Sequence, residues 1–173
     1  YDEGRRAWLY PLSRNEKGAQ AFVPGQWNKY RIQAIGHNID TWINGVQCAN
    51  LVDDLTAEGF IAFQVHGIGR KEQEGKTVRW RDIKIKTTDL EADIMMDDPD
   101  VAEVSYLHNE LSDQEKRSGW RLLWDGTSTD GWRGAKMTAF PDKGWVMEDG
   151  VLKVLSSGGA ESAAGGDIVT EEL

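Results

Sequence analysis

The sequence predicts an all-β fold, an antiparallel β-sandwich that is incomplete or permuted within this chain. Three observations predict it. Apolar and polar residues alternate with a period of two through GQWNKYRIQAIG and NIDTWINGVQ, the spacing of a half-buried strand. Gly36-His37-Asn38, Asn44-Gly45 and Asp149-Gly150 supply residues that tolerate positive φ where the chain must reverse. Outside residues 87–119 no amphipathic helix of useful length is visible.

In chain order, the two alternating runs, residues 25–36 and 38–47, form a three-stranded meander. GFIAFQVHG then predicts a strand with Ile61, Phe63 and Val65 on one face and Ala62, Gln64 and His66 on the other, and VRWRDIKIK predicts a final strand ending at residue 86. Together, residues 1–86 look like the closing half of a sandwich. Residues 120–173 look like an opening half, with Trp145 to Glu148 pairing with residues 151–155 across the Asp149-Gly150 turn. Closing half before opening half predicts either a piece of a tandem pair or a permuted domain.

Between the halves lies an acidic connector, residues 87–119. Ten Asp/Glu and no Lys/Arg fall within residues 87–115, whereas residues 1–86 carry 13 bases against 10 acids, so the chain's net charge of -9 is local to the connector. That pattern predicts a solvated linker with a short helix near residues 101–111, and it offers nothing to a nucleic acid. Ser112-Asp113-Gln114-Glu115 has capping-box spacing, and Gly119 is placed to stop the turn that follows.

Composition excludes several classes. No apolar run approaches the roughly 18 residues of a membrane span. A single cysteine, Cys48, excludes an intramolecular disulfide and cysteine-rich zinc sites, and the three histidines are too scattered for a metal site. No cofactor is expected. No signal peptide is visible, and the chain begins in mid-motif at Tyr1. Eight tryptophans are many for 173 residues. Trp27, Trp42, Trp80 and Trp145 fall within predicted strands, where core packing is the expected role. Trp8, Trp124 and Trp132 sit beside turns or loops, where an indole is free to line a groove and stack on a sugar.

Residues 110–155, with ELSDQEKRSGWRLLWDGTSTDGWRG and GWVMEDGVL, resemble the start of the 3-keto-disaccharide hydrolase domain family, and GGAESAAGGDIVTEEL resembles its next strand. Residues 25–86 are similar to that family's closing half: Trp27-Asn28, Asn44-Gly45, a strand from Gly59 to His66, and Trp80-Arg81-Asp82-Ile83 occur in the family's order. The resemblance implies a jelly roll of the concanavalin A-like lectin/glucanase type, whose central strands are missing from this chain. The rest of its own polypeptide, or another copy, would be needed to complete the sandwich. It also implies a bacterial periplasmic or extracellular protein.

The implied chemistry is cleavage of a glycoside already oxidised to a ketone at C3. The carbonyl acidifies the C2 proton, a base removes it, the C1 substituent leaves, and water adds back. This needs a base near C2 and a donor for the enolate oxygen. His66, which titrates near neutrality and shares its predicted face with Gln64, is the candidate acid-base group. Arg81 is the candidate for stabilising the enolate. Gln64, Arg5, Arg6, Trp8 and Trp132 are candidate sugar contacts. By parity Arg81 shares a face with Ile83 and Ile85, which leaves two readings open, a bulge near Asp82 or a buried structural ion pair. Glu148 and Asp149 suit a turn tip, Glu161 and Asp167 a loop, and His37 and His108 turn and linker positions. A non-catalytic carbohydrate-binding module or a purely structural repeat would show the same strands and tryptophans.

Overall fold

Asn44 and Gly45 both take positive φ, 54° and 85°, the type I′ geometry whose twist matches flanking antiparallel strands, so the chain folds back on itself immediately after β2. Residues 8–64, 67, 69–156 and 165–171 are described by the computed structural model. Two compact units divide the chain, Tyr1–Val104 and Ser105–Leu173. The pairs β1–β2, β2–β3, β5–β8 and β6–β7 are antiparallel and the described helices are single turns, so the architecture is all-β and of the sandwich-forming kind.

The first unit is built on the predicted meander, β1 (Tyr30–Ile35), β2 (Asn38–Ile43) and β3 (Val46–Val52), with the short β4 (Val104–Ser105) beside β3. Register sorts the side chains. Arg31 faces Trp42 and Gln33 faces Asp40 across β1 and β2, while Asp40 faces Asn50 and Trp42 faces Gln47 across β2 and β3, so these six share one face. That face is covered. The opposite face carries Tyr30 and Ile32, which are 61% and 68% exposed.

A register shift between Thr41 and Trp42 leaves Cys48 without a partner on β2, which makes it the extra residue of a β-bulge. The bulge frees two carbonyls. Asn15 Nδ2 donates to the Gln47 and Cys48 carbonyls at 2.8 and 3.2 Å, while its Oδ1 caps α1 (Glu16–Gln20) by accepting from the Gly18 amide at 2.9 Å. Gly18 has no room for a side chain, since a Cβ there would meet Asn15 and the Cys48 backbone. Burial pushes the Cys48 thiol up, so it packs rather than reacts. One buried side chain thus docks the helix. Asn15→Ala should cost about 2 kcal/mol, a lost cap plus buried carbonyls left unpaired. Urea unfolding checks this, and a loss no larger than the ~0.5 kcal/mol of a surface substitution would contradict the docking role.

Three expectations need correction. Among the described residues of 59–67 and 78–86 there is no strand. Strands need ladder partners, and without them Phe60, Ile61, Val78, Ile83 and Ile85 stand exposed. No helix forms over residues 101–111, which instead contain β4, where the edge of β3 offers backbone partners. Finally, residues 87–104 belong to the first unit, where part of the acidic stretch is held on the sheet by amide side chains and does not run free as a solvated connector.

The second unit opens on α2 (Asp113–Arg117). Its capping box is complete: Glu115 N donates to Ser112 Oγ at 3.1 Å and Ser112 N to Glu115 Oε2 at 2.8 Å. Gly119, at φ 84°, ends the helix as its own amide donates to the Lys116 carbonyl and the Trp120 amide to the Glu115 carbonyl. β5 (Trp132–Gly134) pairs with β8 (Ile168–Thr170), and β6 (Trp145–Glu148) with β7 (Val151–Val154) across the Asp149-Gly150 turn, both residues at positive φ. Asn109 Nδ2 donates to the Gly150 carbonyl at 2.8 Å and also fills the space beside Gly126. Asp125 accepts from the Thr127 and Ser128 amides at 2.7 and 2.8 Å, bonds that hold its carboxyl down to about 2.

Candidate functional site

Two of the quoted motifs, sixteen residues apart, are one structure. Asn28 Oδ1 accepts from the Val23 amide at 2.8 Å and from Asn44 Nδ2 at 2.9 Å; Asn28 Nδ2 donates to the Val23 and Gln26 carbonyls at 2.9 and 3.0 Å. Asn44 also donates to the Ala21 carbonyl and accepts from the Lys29 amide, each at 2.9 Å. The hairpin turn and the loop before β1 therefore brace each other. What they hold in place is Trp27.

Trp27 is not core. Its ring is about half exposed and carries the Arg81 guanidinium 4.2 Å from the centroid, with Arg79 at 5.5 Å. A planar guanidinium stacked on an indole keeps its in-plane donors free for oxygen acceptors. Arg81 also pairs with Asp82 at 3.5 Å. The parity conflict resolves locally: Asp82 sits at φ 54°, a left-handed residue that breaks the alternation between Arg81 and the isoleucines that follow. Arg81 is 60% exposed, so it is not a buried ion-pair member.

Trp80 is also half exposed, and its ring meets Phe63 at 5.2 Å with the planes tilted by 52°. That contact sets the segments of residues 59–64 and 78–86 side by side. Gln64 and Arg81 are each next in sequence to one of those rings, and Gln64 is exposed. His66, Arg5 and Arg6 lie outside the described residues, as does Glu161. Trp8 is exposed. Trp132 belongs to β5 of the second unit, where its indole Nε1 donates to the Leu123 carbonyl at 2.6 Å, so its polar edge is engaged within its own fold. Trp145 is partly buried and its Nε1 donates to the Gly166 carbonyl at 2.9 Å; Trp42 alone of the strand tryptophans is fully core.

Trp27 as the seat of Arg81, and Arg79 beside it, are functional candidates that sequence reasoning missed. Arg79 has the parity of Arg81, a signal that was available; the Asn28-Asn44 bond was not, because nothing local in the sequence links those positions. Among the described residues no group of three or more His, Cys, Asp or Glu is placed to hold a metal ion, and no helix is long and apolar enough to cross a membrane. Residues 1–86 match the family model of the 3-keto-alpha-glucoside-1,2-lyase-like domain. No curated protein matches the chain.

Proposed function

Because the chain belongs, through residues 1–86, to the 3-keto-alpha-glucoside-1,2-lyase-like domain family, we propose that the complete polypeptide cleaves 3-keto-glucosides by elimination and rehydration. His66 takes the C2 proton, the C1–O bond breaks with the electron pair leaving on the aglycone oxygen, and that oxygen is reprotonated. Water then adds across C1 and C2 to give the free 3-keto sugar. Arg81 stabilises the enolate on O3, and Gln64, Arg5, Arg6 and Trp8 contact the oxidised sugar. The observation that carries this reading is the exposed Arg81 guanidinium seated on the braced Trp27, beside the segment bearing Gln64 and within the family-matched residues.

In this reading residues 1–86 end one sandwich and residues 120–173 begin another, the two in series. The exposed Tyr30 and Ile32 face and the unladdered residues 59–64 and 78–86 support it, because a sandwich buries such surfaces against its other sheet. The completing strands come from the rest of the polypeptide or from another copy, and a bacterial periplasmic or extracellular setting belongs to the same proposal.

The test is an assay of the full-length polypeptide against a 3-keto-disaccharide and its unoxidised parent. Only the keto form should turn over, since only its C2 proton is acidified. Binding of ordinary sugars with no turnover of the keto form would assign the protein to the alternative, a lectin-like carbohydrate-binding module.

A further inference from the structure

The covered face of the first sheet is polar, and what covers it is acidic. Gln33 and Gln47 act as clamps: Gln33 Oε1 accepts from the Met95 amide at 2.9 Å and its Nε2 donates to the Met95 carbonyl at 3.4 Å, while Gln47 Oε1 accepts from the Asp98 amide at 2.6 Å. Arg31 Nη2 donates to the Asp93 carbonyl. Gln47 Nε2 donates to Asp97 Oδ1 at 2.9 Å and reaches Asp40 Oδ1 at 3.4 Å. Val101 supplies the one buried apolar anchor, and Lys17 pairs with Asp100 at 2.8 Å on the exposed edge.

The fit is imperfect where it matters electrostatically. Asp40 is only 4% exposed, and its single donor sits at a long distance. Around it, β1 presents Gln33 and Arg31, the latter turned to the Asp93 carbonyl; β3 presents the neutral Gln47 and Asn50; the covering segment presents Asp97, Asp98 and Glu103. Two buried donors on the same face, Arg31 Nε and Asn50 Nδ2, have no partner. Trp42, Gln47, Met95, Met96 and Asp97 are among the residues that line an open depression of about 470 Å³. An acidic segment is thus held over a buried carboxyl by a few amide clamps and no strand ladder.

We propose that residues 93–103 form a pH-gated strap, docked across the polar face of the sheet while the Asp40 carboxyl is protonated and loosened when it is ionised, so that this face is uncovered towards neutral pH. Burial first, then the Asp97 and Glu103 charges, push Asp40 up to about 6 from an ordinary 3.8. The sign follows. The docked state holds the Asp40 proton more tightly than the released state, so docking is strongest in acid, weakens as pH rises from about 4 through 6, and is constant above. Loosening bares Arg31, Gln33, Asp40, Trp42, Gln47 and Asn50 together, a surface of amides, charge and one indole.

Amide hydrogen exchange on the 173-residue chain tests it, read as protection factors corrected for the intrinsic pH dependence of exchange. Protection at Met95 and Asp98, whose amides the clamps hold, should fall about 30-fold between pH 4.5 and 8. In Asp40→Asn, which keeps an acceptor for Gln47 but cannot ionise, protection should stay at its acid level throughout. Constant protection in the native chain, or an equal fall in Asp40→Asn, would overturn the proposal. If that variant does not fold, Asp97→Asn supplies the decision: removing one of the charges that repel Asp40 should move the midpoint of the loss to lower pH, and an unmoved midpoint would count against the strap.

Discussion

At pH 4.5, where the covered face stays covered, Trp42→Ala is expected to destabilise the first unit by about 3–5 kcal/mol, the range for deleting a large core aromatic. Trp42 is 3% exposed at the centre of the covered face, on β2, which pairs with strands on both sides. Truncation there removes the largest side chain of a small core, whose other apolar members are Cys48, Leu51, Val52 and Val101. A core that small cannot close over the space. Because the chain has two units, the loss is best read from amide exchange within β1 to β3 under rising urea, since a single global transition would mix the two. Trp27→Ala, at a half-exposed ring, should cost much less. Equal losses at the two positions would contradict the burial assignment.

What the sequence made legible was local. Asn44-Gly45 and Asp149-Gly150 each demand two successive residues at positive φ, a need met within the dipeptide, and both hairpins formed where alternation and turn agreed. The box from Ser112 to Glu115 was legible for the same reason, since both bonds close within four residues. Residues 59–64 and 78–86 alternate as well as β1 does, yet they have no strand: alternation says which face would be buried, not that a partner is present to bury it. The acidic stretch misled in the opposite direction. Its composition implies solvation, but Gln33 and Gln47 bind its backbone, and backbone amides leave no trace in side-chain composition.

The candidate site was legible in parts. The Trp80-Arg81-Asp82-Ile83 motif singled out Arg81, and parity asked for a bulge near Asp82 or a buried ion pair; residues 78–86 have no ladder to hold a bulge, and the left-handed Asp82, at φ 54°, breaks the alternation instead. The seat of that arginine was misread. Trp27 falls within a predicted strand and suggests core, whereas the Asn28-Asn44 bond braces its loop and leaves the ring half exposed under two guanidinium groups. Only tertiary geometry separates a core tryptophan from one that holds an arginine.

His66→Ala in the complete polypeptide should depress turnover of a 3-keto-disaccharide by roughly 10²–10⁴-fold, the loss typical of a missing general base, with folding unchanged. The expectation rests on His66 falling two residues after Gln64 in the run before Gly67, on the side away from Ile61 and Phe63 by the sequence's own alternation, and on the family to which residues 1–86 belong. Loss of a base should lower kcat more than it raises KM, because the proton is taken only on the way to the transition state. Full activity in His66→Ala would remove this residue from the mechanism.

The central claim is elimination through C2, and isotope incorporation tests it most directly. Turnover of a 3-keto-disaccharide in D2O, stopped early and read by mass and NMR against an enzyme-free control, should place one deuterium at C2 of the released 3-keto sugar for each bond cleaved. Cleavage with the original hydrogen retained at C2 would contradict the account.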